Sequence, residues 1–310
     1  MPHQAPTSPM VISDDVWQDR ARLPIDNLKQ QLELRAQSGQ PMQGFSLVKA
    51  DLRDINLVNK NARHGYRLSH SDLYRADLEN AHLFKLDLSN SSLMKANLHN
   101  ANLHYCNLQG CNLLGTNFKG AKLEHVNWGK ELVQEQKARQ TDDGLQRNAL
   151  YQEAEEIYRA IRQAAEHQGL FETAGRFFQK EMVMRRRQYK RFSFNRMFSK
   201  LVDLFCGYGE KPMRVIIFSV LMIVVFATLY FFAGLSFSGD SLAFSSQQSL
   251  GDNLATYFSA LYFSVVTFTT LGYGDLAPIG IARAFAALEA FLGSFTLALF
   301  VVVFVKKMTR

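Results

Sequence analysis

Cysteine is scarce in this chain of 310 residues, which has only Cys106, Cys111 and Cys206. No two of them have the close Cys-x-x-Cys spacing that is typical of structural metal sites. The sequence therefore gives no reason to infer a metal centre or a disulfide, and we expect all three cysteines to be packing residues in a reducing compartment.

Catalytic motifs are also missing. We find no nucleophile, metal-ligand or nucleotide-binding motif, which argues against an enzyme and against a bound cofactor. The net charge of +7 accompanies a hydrophobic fraction of 47%, so it needs no nucleic acid to explain it. Residues 45–128 carry ten Lys and Arg against seven Asp and Glu, which does not favour an acidic mimic of DNA.

The N-terminal segment lacks an apolar stretch. Three prolines fall within the first nine residues, so we expect residues 1–44 to be flexible, with a short helix around Asn27 to Ala36 and no signal peptide. No apolar segment of the chain is rich in arginine, so voltage sensing of the usual kind is not expected.

Two long apolar runs stand near the C-terminus. Val215 to Leu235 contains 21 residues without a formal charge, and Ile281 to Val305 carries only Arg283 and Glu289. Each is long enough to cross about 30 Å of hydrocarbon as a helix. Basic residues precede the first run and follow the second, so we expect both termini on the cytoplasmic side of the cell (inner) membrane. These basic residues are Lys190, Arg191, Arg196, Lys200, Lys211, Arg214, Lys306, Lys307 and Arg310.

The segment between the runs has a polar part at 236–253, then an apolar part at 254–267 that is too short to span, then Thr-Phe-Thr-Thr-Leu-Gly-Tyr-Gly-Asp at 267–275. Glycines at 272 and 274 permit the positive φ angles that turn successive carbonyls toward one line. Four such loops around one axis would present rings of carbonyls to a dehydrated cation. We call residues 267–275 the filter segment, because it resembles the selectivity filter of potassium channels.

A second Gly-Tyr-Gly at 207–209 provides an internal comparison. It is not bracketed by apolar spans, and Lys211, Pro212 and Arg214 follow it. This context is typical of a turn at a membrane edge. We therefore predict a structural role for this copy.

The order span, short helix, filter segment and span resembles the two-transmembrane potassium channels over residues 213–310. The resemblance implies a homotetramer with potassium as the permeating ion and the filter on the fourfold axis. It assigns ion coordination and filter support to two sets of residues: Thr270, Leu271, Gly272, Tyr273 and Gly274 for coordination, and Thr267, Thr269 and Asp275 for support. The sequence departs from related bacterial channels at Tyr262, Phe263 and Val266, where tryptophans and a glutamate are often found.

Four further features of the pore domain have two interpretations each. Gly293 lies where related channels have a hinge glycine, but a helix glycine also serves close packing. Glu289 is either a hydrogen-bonding partner of the short helix that precedes the filter segment (the pore helix) or a proton sensor. Val301, Phe304 and Val305 form either a hydrophobic gate or an ordinary packing face. Asp275 is either an outer-mouth carboxylate or an exposed turn residue.

Residues 45–128 follow a period of five. Leucine or a similar residue recurs from Leu68 to Trp128 at every fifth position, with a small residue two positions earlier. The three leucines at 47, 52 and 57 are offset by one, across an interruption at 59–65. A period of five fits neither a helix nor an ordinary strand. The pattern resembles the pentapeptide-repeat proteins, which implies a right-handed quadrilateral β-helix with twenty residues in each coil. Its histidines, at 64, 70, 82, 99, 104 and 125, are expected on the solvated surface.

Residues 129–191 are predicted to be a helical linker, with two helices separated by Gly169. Residues 192–212 mix bases with aromatic and aliphatic residues, which is typical of a helix on an anionic inner leaflet. The sequence thus predicts a mixed fold: a cytoplasmic β-helix, a helical linker and an α-helical membrane pore domain.

Two functions remain open. One is a homotetrameric potassium channel, gated or modulated through the repeat domain by a cytoplasmic protein or a small ligand. The other is a membrane-anchored pentapeptide scaffold with a weakly conducting or non-selective pore. Neither requires nucleic acid, and the sequence does not indicate the gating stimulus.

Overall fold

The computed structural model describes residues 14–19, 27–60 and 63–308, and the chain divides into two compact units, Met1–Arg196 and Met197–Arg310. The first unit contains the helices α1 (Asp14–Gln18), α2 (Leu28–Gln37), α3 (Val133–Gln140), α4 (Gly144–His167) and α5 (Phe171–Gln188). Helix α6 (Phe194–Cys206) begins in the first unit and ends in the second. The second unit continues with α7 (Pro212–Ala233), β1 (Leu235–Phe237), β2 (Asp240–Leu242), α8 (Leu250–Phe268), β3 (Leu276–Pro278) and α9 (Ala282–Met308).

The repeat region winds with a period of twenty residues. From Arg67 to Asn107, every fifth residue is paired by a parallel bridge with the residue twenty positions later. The chain turns because one residue in each pentapeptide, from His70 to His125, has a positive φ. The central leucines, such as Leu73 and Leu98, are fully buried. Each pentapeptide therefore contributes one central apolar residue to the interior of the coil.

The interruption in the repeat is an insertion within one coil. Before it, the bridges Ser46↔Asp72 and Asp51↔Asp77 join residues 26 apart. One coil therefore contains six residues more than the others. Because six exceeds the repeat length by one, the leucine pattern is shifted by a single position. Gly65 lies in this insertion, and a Cβ there would be 1.9 Å from the carbonyl oxygen of Lys85.

Cys106 and Cys111 lie at inward positions of the repeat. Their thiols donate to the carbonyl oxygens of Leu83, at 2.7 Å, and Leu88, at 3.0 Å. Burial raises the pKa of both thiols to about 12. Both are therefore packing residues in the structure.

We expect Cys106 and Cys111 to resist alkylation in the native protein, because the thiolate is the reactive species and is scarce at pH 8. Peptide mass spectrometry after iodoacetamide treatment would measure this. An introduced thiol, Lys119→Cys, lies on the exposed surface and serves as the reactive control. Labelling of the two native cysteines as fast as the control, without denaturant, would contradict the prediction.

The N-terminal helices pack against the repeat region. Trp17 of α1 is buried and stacks on Phe45 with ring centroids 4.9 Å apart, and Leu32 and Ala36 of α2 are buried in the same core. The predicted helix around Asn27 to Ala36 corresponds to α2. The expectation of a flexible segment is corrected for residues 14–19 and 27–44, because their few apolar side chains pack against the core of the repeat region. Residues 1–13 and 20–26 lie outside the described residues.

The linker forms a helical pair preceded by α3. The predicted break is present, since Gly169 follows α4 with φ 71°, the left-handed conformation that often follows a helix end. Ion pairs hold α4 against α5: Glu181 is buried and pairs with Arg159 at 3.1 Å and with Arg162 at 2.8 Å. Helix α3 is too short and too polar to have been predicted from its sequence.

The second unit contains two helices that are long and apolar enough to cross a membrane, α7 and α9. Pro212 occupies the first turn of α7, where its missing N–H costs nothing. Between these helices, the strands form an antiparallel sheet in the order β2-β1-β3. In sequence, helix α8 lies between β2 and the filter segment, and β3 follows the filter segment.

Candidate ion-conduction site

Helix α8 delivers the chain to the filter segment. Its N-terminus is capped by Ser249, whose hydroxyl accepts from the Asp252 N–H. After α8 the chain departs from helical geometry at Thr270, which has φ 58°. The Leu271 N–H still donates to the Val266 carbonyl at 3.0 Å, and the Thr270 N–H to that of Thr267 at 3.0 Å. The start of the filter segment is therefore anchored on the last turn of α8.

The backbone of the filter segment presents free carbonyls. Gly272 and Gly274 have φ 61° and 79°, which only glycine adopts at little cost. Within the described part of the chain, the carbonyl oxygens of residues 270–274 accept no hydrogen bond. The residues Leu271 and Tyr273 are 59% and 68% exposed. In the single chain the segment is thus an exposed row of hydrogen-bond acceptors, a geometry suited to cation coordination.

Strand pairing fixes the far end of the filter segment. Leu276, directly after Asp275, pairs with Phe237 in the β1–β3 register. The Asp275 carboxylate interacts electrostatically with the Tyr262 hydroxyl of α8. Asp275 is therefore exposed but influenced by a group on α8.

Sequence reasoning missed this sheet. The only local signal is Ser238-Gly239 between β1 and β2, where both residues have positive φ, as in two-residue hairpin turns. Strands of three residues carry too little alternation to be recognised.

Glu289 of α9 is fully buried. The Tyr230 hydroxyl of α7 donates to its Oε2 at 2.6 Å, and the Ser264 hydroxyl of α8 donates to its Oε1. The carboxyl group therefore contacts both neighbouring helices. Of the two interpretations of Glu289, this geometry favours hydrogen bonding to the pore-helix region.

Gly293 lies one turn after Glu289, against the end of α8. A Cβ at Gly293 would stand 2.1 Å from the Phe268 carbonyl oxygen. Helix α9 continues without interruption through this position. Close approach of two backbones is therefore sufficient to require glycine here, and the hinge remains a prediction.

The residues predicted to form a gate, Val301, Phe304 and Val305, are exposed in the single chain. Phe304 stacks on Phe300 at 5.6 Å. Val303, on the other face of α9, is buried with Cys206 and Val215. The exposed face is available to neighbours or lipid, and its role as a gate stays a prediction.

The second Gly-Tyr-Gly forms a turn, as predicted. Gly207, Tyr208 and Gly209 all have positive φ, between 56° and 81°. The next residue, Glu210, pairs with Lys306 near the end of α9 at 2.5 Å, and the Tyr208 hydroxyl lies 2.7 Å from that of Ser199. The turn therefore connects α6 and α7 to the end of α9, a contact that sequence reasoning missed.

The predicted interface segment at 192–212 contains α6. A row of aromatic and aliphatic side chains on and just before this helix is exposed: Phe192, Phe194, Met197, Phe198, Leu201 and Leu204. Such a row beside bases is typical of helices that lie on a membrane surface.

Two family models match the chain. The model described as "Ion channel" matches residues 217–310, and the model described as "Pentapeptide repeats" matches residues 67–100 and 96–127. Protein LctB from Geobacillus stearothermophilus is 41% identical over 49 residues, which cover 16% of this chain and 37% of that protein. The chain therefore spans little more than a third of that relative.

Two solved structures are similar to part of this chain. HetL from Nostoc sp. strain PCC 7120, a pentapeptide repeat protein involved in heterocyst differentiation regulation, is 26% identical with a TM-score of 0.21, covering 29% of this chain and 50% of HetL. A pentapeptide repeat protein from the thylakoid lumen of Arabidopsis thaliana is 21% identical with a TM-score of 0.14, covering 34% of this chain and 77% of that protein.

Proposed function

We propose that this membrane protein, which joins pentapeptide repeats to an ion channel domain of the two-transmembrane type, is a potassium-selective channel. The observation that carries the proposal is the filter segment. Its carbonyls at 270–274 are unpaired and exposed, and positive φ at Thr270, Gly272 and Gly274 sets their directions. Potassium binds where such carbonyls replace its hydration shell.

One subunit supplies only one row of carbonyls, so we propose a homotetramer with four filter segments around a shared axis. The exposure of the segment supports this, because neighbouring subunits would cover it. Helix α8 would then be a re-entrant pore helix that is covered by protein rather than lipid. The basic residues before α7 and at the end of α9 support an orientation with both termini in the cytoplasm of the cell.

Ion flux into liposomes containing the purified protein tests the proposal. We expect potassium to pass and sodium to be excluded, and empty liposomes are the control. Flux of both ions at similar rates would instead support the alternative, a repeat scaffold with a non-selective pore. The absence of flux under every condition would contradict a channel.

We further propose that the repeat region is a right-handed quadrilateral β-helix in the cytoplasm. The support is the bridge spacing of twenty residues, which divides into four sides of five. Such a rigid module offers a surface for a protein or small-ligand partner. Its position ahead of α6 and α7 in the chain suits a regulatory role.

We propose that regulation reaches the pore through the turn at 207–210. Lys306 and Glu210 form an ion pair of 2.5 Å, and the side chain of Glu210 is 9% exposed. Beside this pair, Cys206, Val215 and Val303 are buried together. The end of α9 is thus attached to the segment that precedes α7. Movement of α6, whose apolar row would rest on anionic inner-leaflet lipids, would move the gate region.

Charge reversal tests this coupling. We expect Lys306→Glu and Glu210→Lys each to change the open probability by about fivefold, and the double reversal to restore it, because contacting charges act non-additively. Single-channel recording measures the effect. Lys307→Glu makes the same change of charge at an exposed neighbour, so an equal effect there would contradict a specific role for the pair.

A further inference from the structure

We propose that Glu289 is a positioning residue for the selectivity filter: its carboxyl group fixes the pore helix α8 between α7 and α9, and so sets the geometry of residues 270–274. This inference rests on the proposed potassium channel. It concerns how the filter is held, which no feature of the filter sequence itself specifies.

The contacts of Glu289 come from both adjacent helices. The Tyr230 hydroxyl of α7 donates to one carboxyl oxygen at 2.6 Å, and the Ser264 hydroxyl of α8 donates to the other. The Ser264 oxygen also lies 2.9 Å from the Ile223 carbonyl oxygen of α7. All three helices therefore meet at one group of hydrogen bonds.

This group is entirely enclosed. Glu289, Tyr230 and Ser264 each have no exposed side-chain area. Among the residues that the structure describes, no Lys, Arg or His forms an ion pair with Glu289. The two hydroxyls are therefore its partners in place of a cation. Loss of either would leave a buried oxygen without its donor, which is costly.

A second contact one turn along fixes the register. Glu289 and Gly293 are four residues apart and share one face of α9, and Ser264 and Phe268 are four residues apart on α8. Glu289 bonds to Ser264, while Gly293 faces the Phe268 carbonyl, which a Cβ would approach to 2.1 Å. Two points of contact on the same pair of faces restrict both sliding and rotation of α8.

The filter segment begins at the C-terminal end of this restrained helix. Phe268 is the last residue of α8, and the Leu271 N–H is still bonded to the Val266 carbonyl. A shift of α8 therefore becomes a shift of the first carbonyls of the filter. Supporting residues that leave a site about 1 Å loose are enough to impair its function.

The experiment measures the permeability ratio of potassium to sodium from reversal potentials, using full-length protein reconstituted in bilayers. We expect Tyr230→Phe and Ser264→Ala each to lower the ratio about tenfold, and Glu289→Leu to lower it further. Glu289→Gln keeps one acceptor oxygen, so it should give a ratio between those of the leucine variant and the wild type. Because the group acts as a unit, Tyr230→Phe should add little to Glu289→Leu.

Tyr257→Phe is the matched control, since it removes a tyrosine hydroxyl from α8 that lies 3.5 Å from Thr228 and outside the group around Glu289. We expect its ratio to stay within about twofold of the wild type. If Glu289→Leu does not fold, Tyr230→Phe still tests the inference, because it removes a single oxygen atom.

The outcomes separate the inference from the channel itself. A selective wild type with unchanged ratios in Tyr230→Phe, Ser264→Ala and Glu289→Gln would overturn the positioning role alone. An equal fall in the Tyr257→Phe control would also overturn it. A wild type that does not conduct potassium selectively would overturn the proposed function and this inference with it.

Discussion

Replacement of Gly272 with alanine is expected to abolish potassium-selective flux. Gly272 has φ 61°, and an L-residue in this left-handed region costs about 1–2 kcal/mol. In the proposed tetramer the cost arises four times around one axis. This backbone strain is relieved most readily by rotation of the adjacent peptide groups, which turns the carbonyls away from the ion. On a single subunit an added Cβ at Gly272 meets no atom within 4 Å, so the effect is expected from backbone geometry rather than from a local clash.

The chain supplies a matched control for this substitution. Gly209 belongs to the other Gly-Tyr-Gly and has φ 81°, so Gly209→Ala introduces a similar backbone strain away from the filter. We expect that variant to keep the wild-type permeability ratio of potassium to sodium. Wild-type selectivity in Gly272→Ala, or its loss in Gly209→Ala, would contradict the assignment of the filter to residues 267–275.

Replacement of Gly293 with alanine is expected to displace α8 or prevent assembly. The new Cβ would lie 2.1 Å from the Phe268 carbonyl oxygen and 2.9 Å from its carbon, and neither backbone can yield without moving a helix. Overpacking of this kind costs about 1–3 kcal/mol in ordinary cores and sometimes more. The yield of folded oligomer, by size-exclusion chromatography in detergent, and the permeability ratio of the recovered fraction measure the two consequences.

Gly251→Ala is the control for Gly293→Ala. Gly251 lies in the first turn of α8, and a Cβ there would be 3.7 Å from its nearest neighbour, the Ser249 hydroxyl, which is an ordinary contact. Since alanine favours helices over glycine by about 1 kcal/mol, this variant should fold at least as well as the wild type. A hinge at Gly293 without close packing would instead predict normal assembly and altered gating in Gly293→Ala.

Local patterns in the sequence predicted much of the second unit. The apolar runs correspond to α7 and α9, and the filter segment adopts positive φ at both of its glycines. Such features are encoded by consecutive residues, so one window of sequence contains the signal. The hydrogen bonds of Glu289 could not be predicted from local sequence patterns, because Ser264 and Tyr230 lie 25 and 59 residues away along the chain.

In the first unit, too, local patterns were predictable from the sequence and contacts between distant residues were not. Leucines at every fifth position predicted the repeat region, since each pentapeptide repeats the same local environment. The packed position of Trp17 was not predicted, because one tryptophan in a polar segment has no periodicity. Its partner Phe45 lies in the first coil, and only the folded repeat brings the two rings together. The length of the insertion at 59–65 was hidden for a related reason, since additions of one and six residues leave the same pattern of leucines.

The bridge spacing in the repeat region has a consequence for how such a domain can change in length. An insertion of twenty residues would add one complete coil and move α3 to α5 about 4.8 Å along the axis with no rotation. In the proposed quadrilateral helix, an insertion of five would instead turn them by roughly a quarter revolution relative to α1 and α2. The coil at 46–72 contains six additional residues, yet its bridges to the next coil keep the five-residue spacing of the others. Repeat number therefore sets orientation as well as distance.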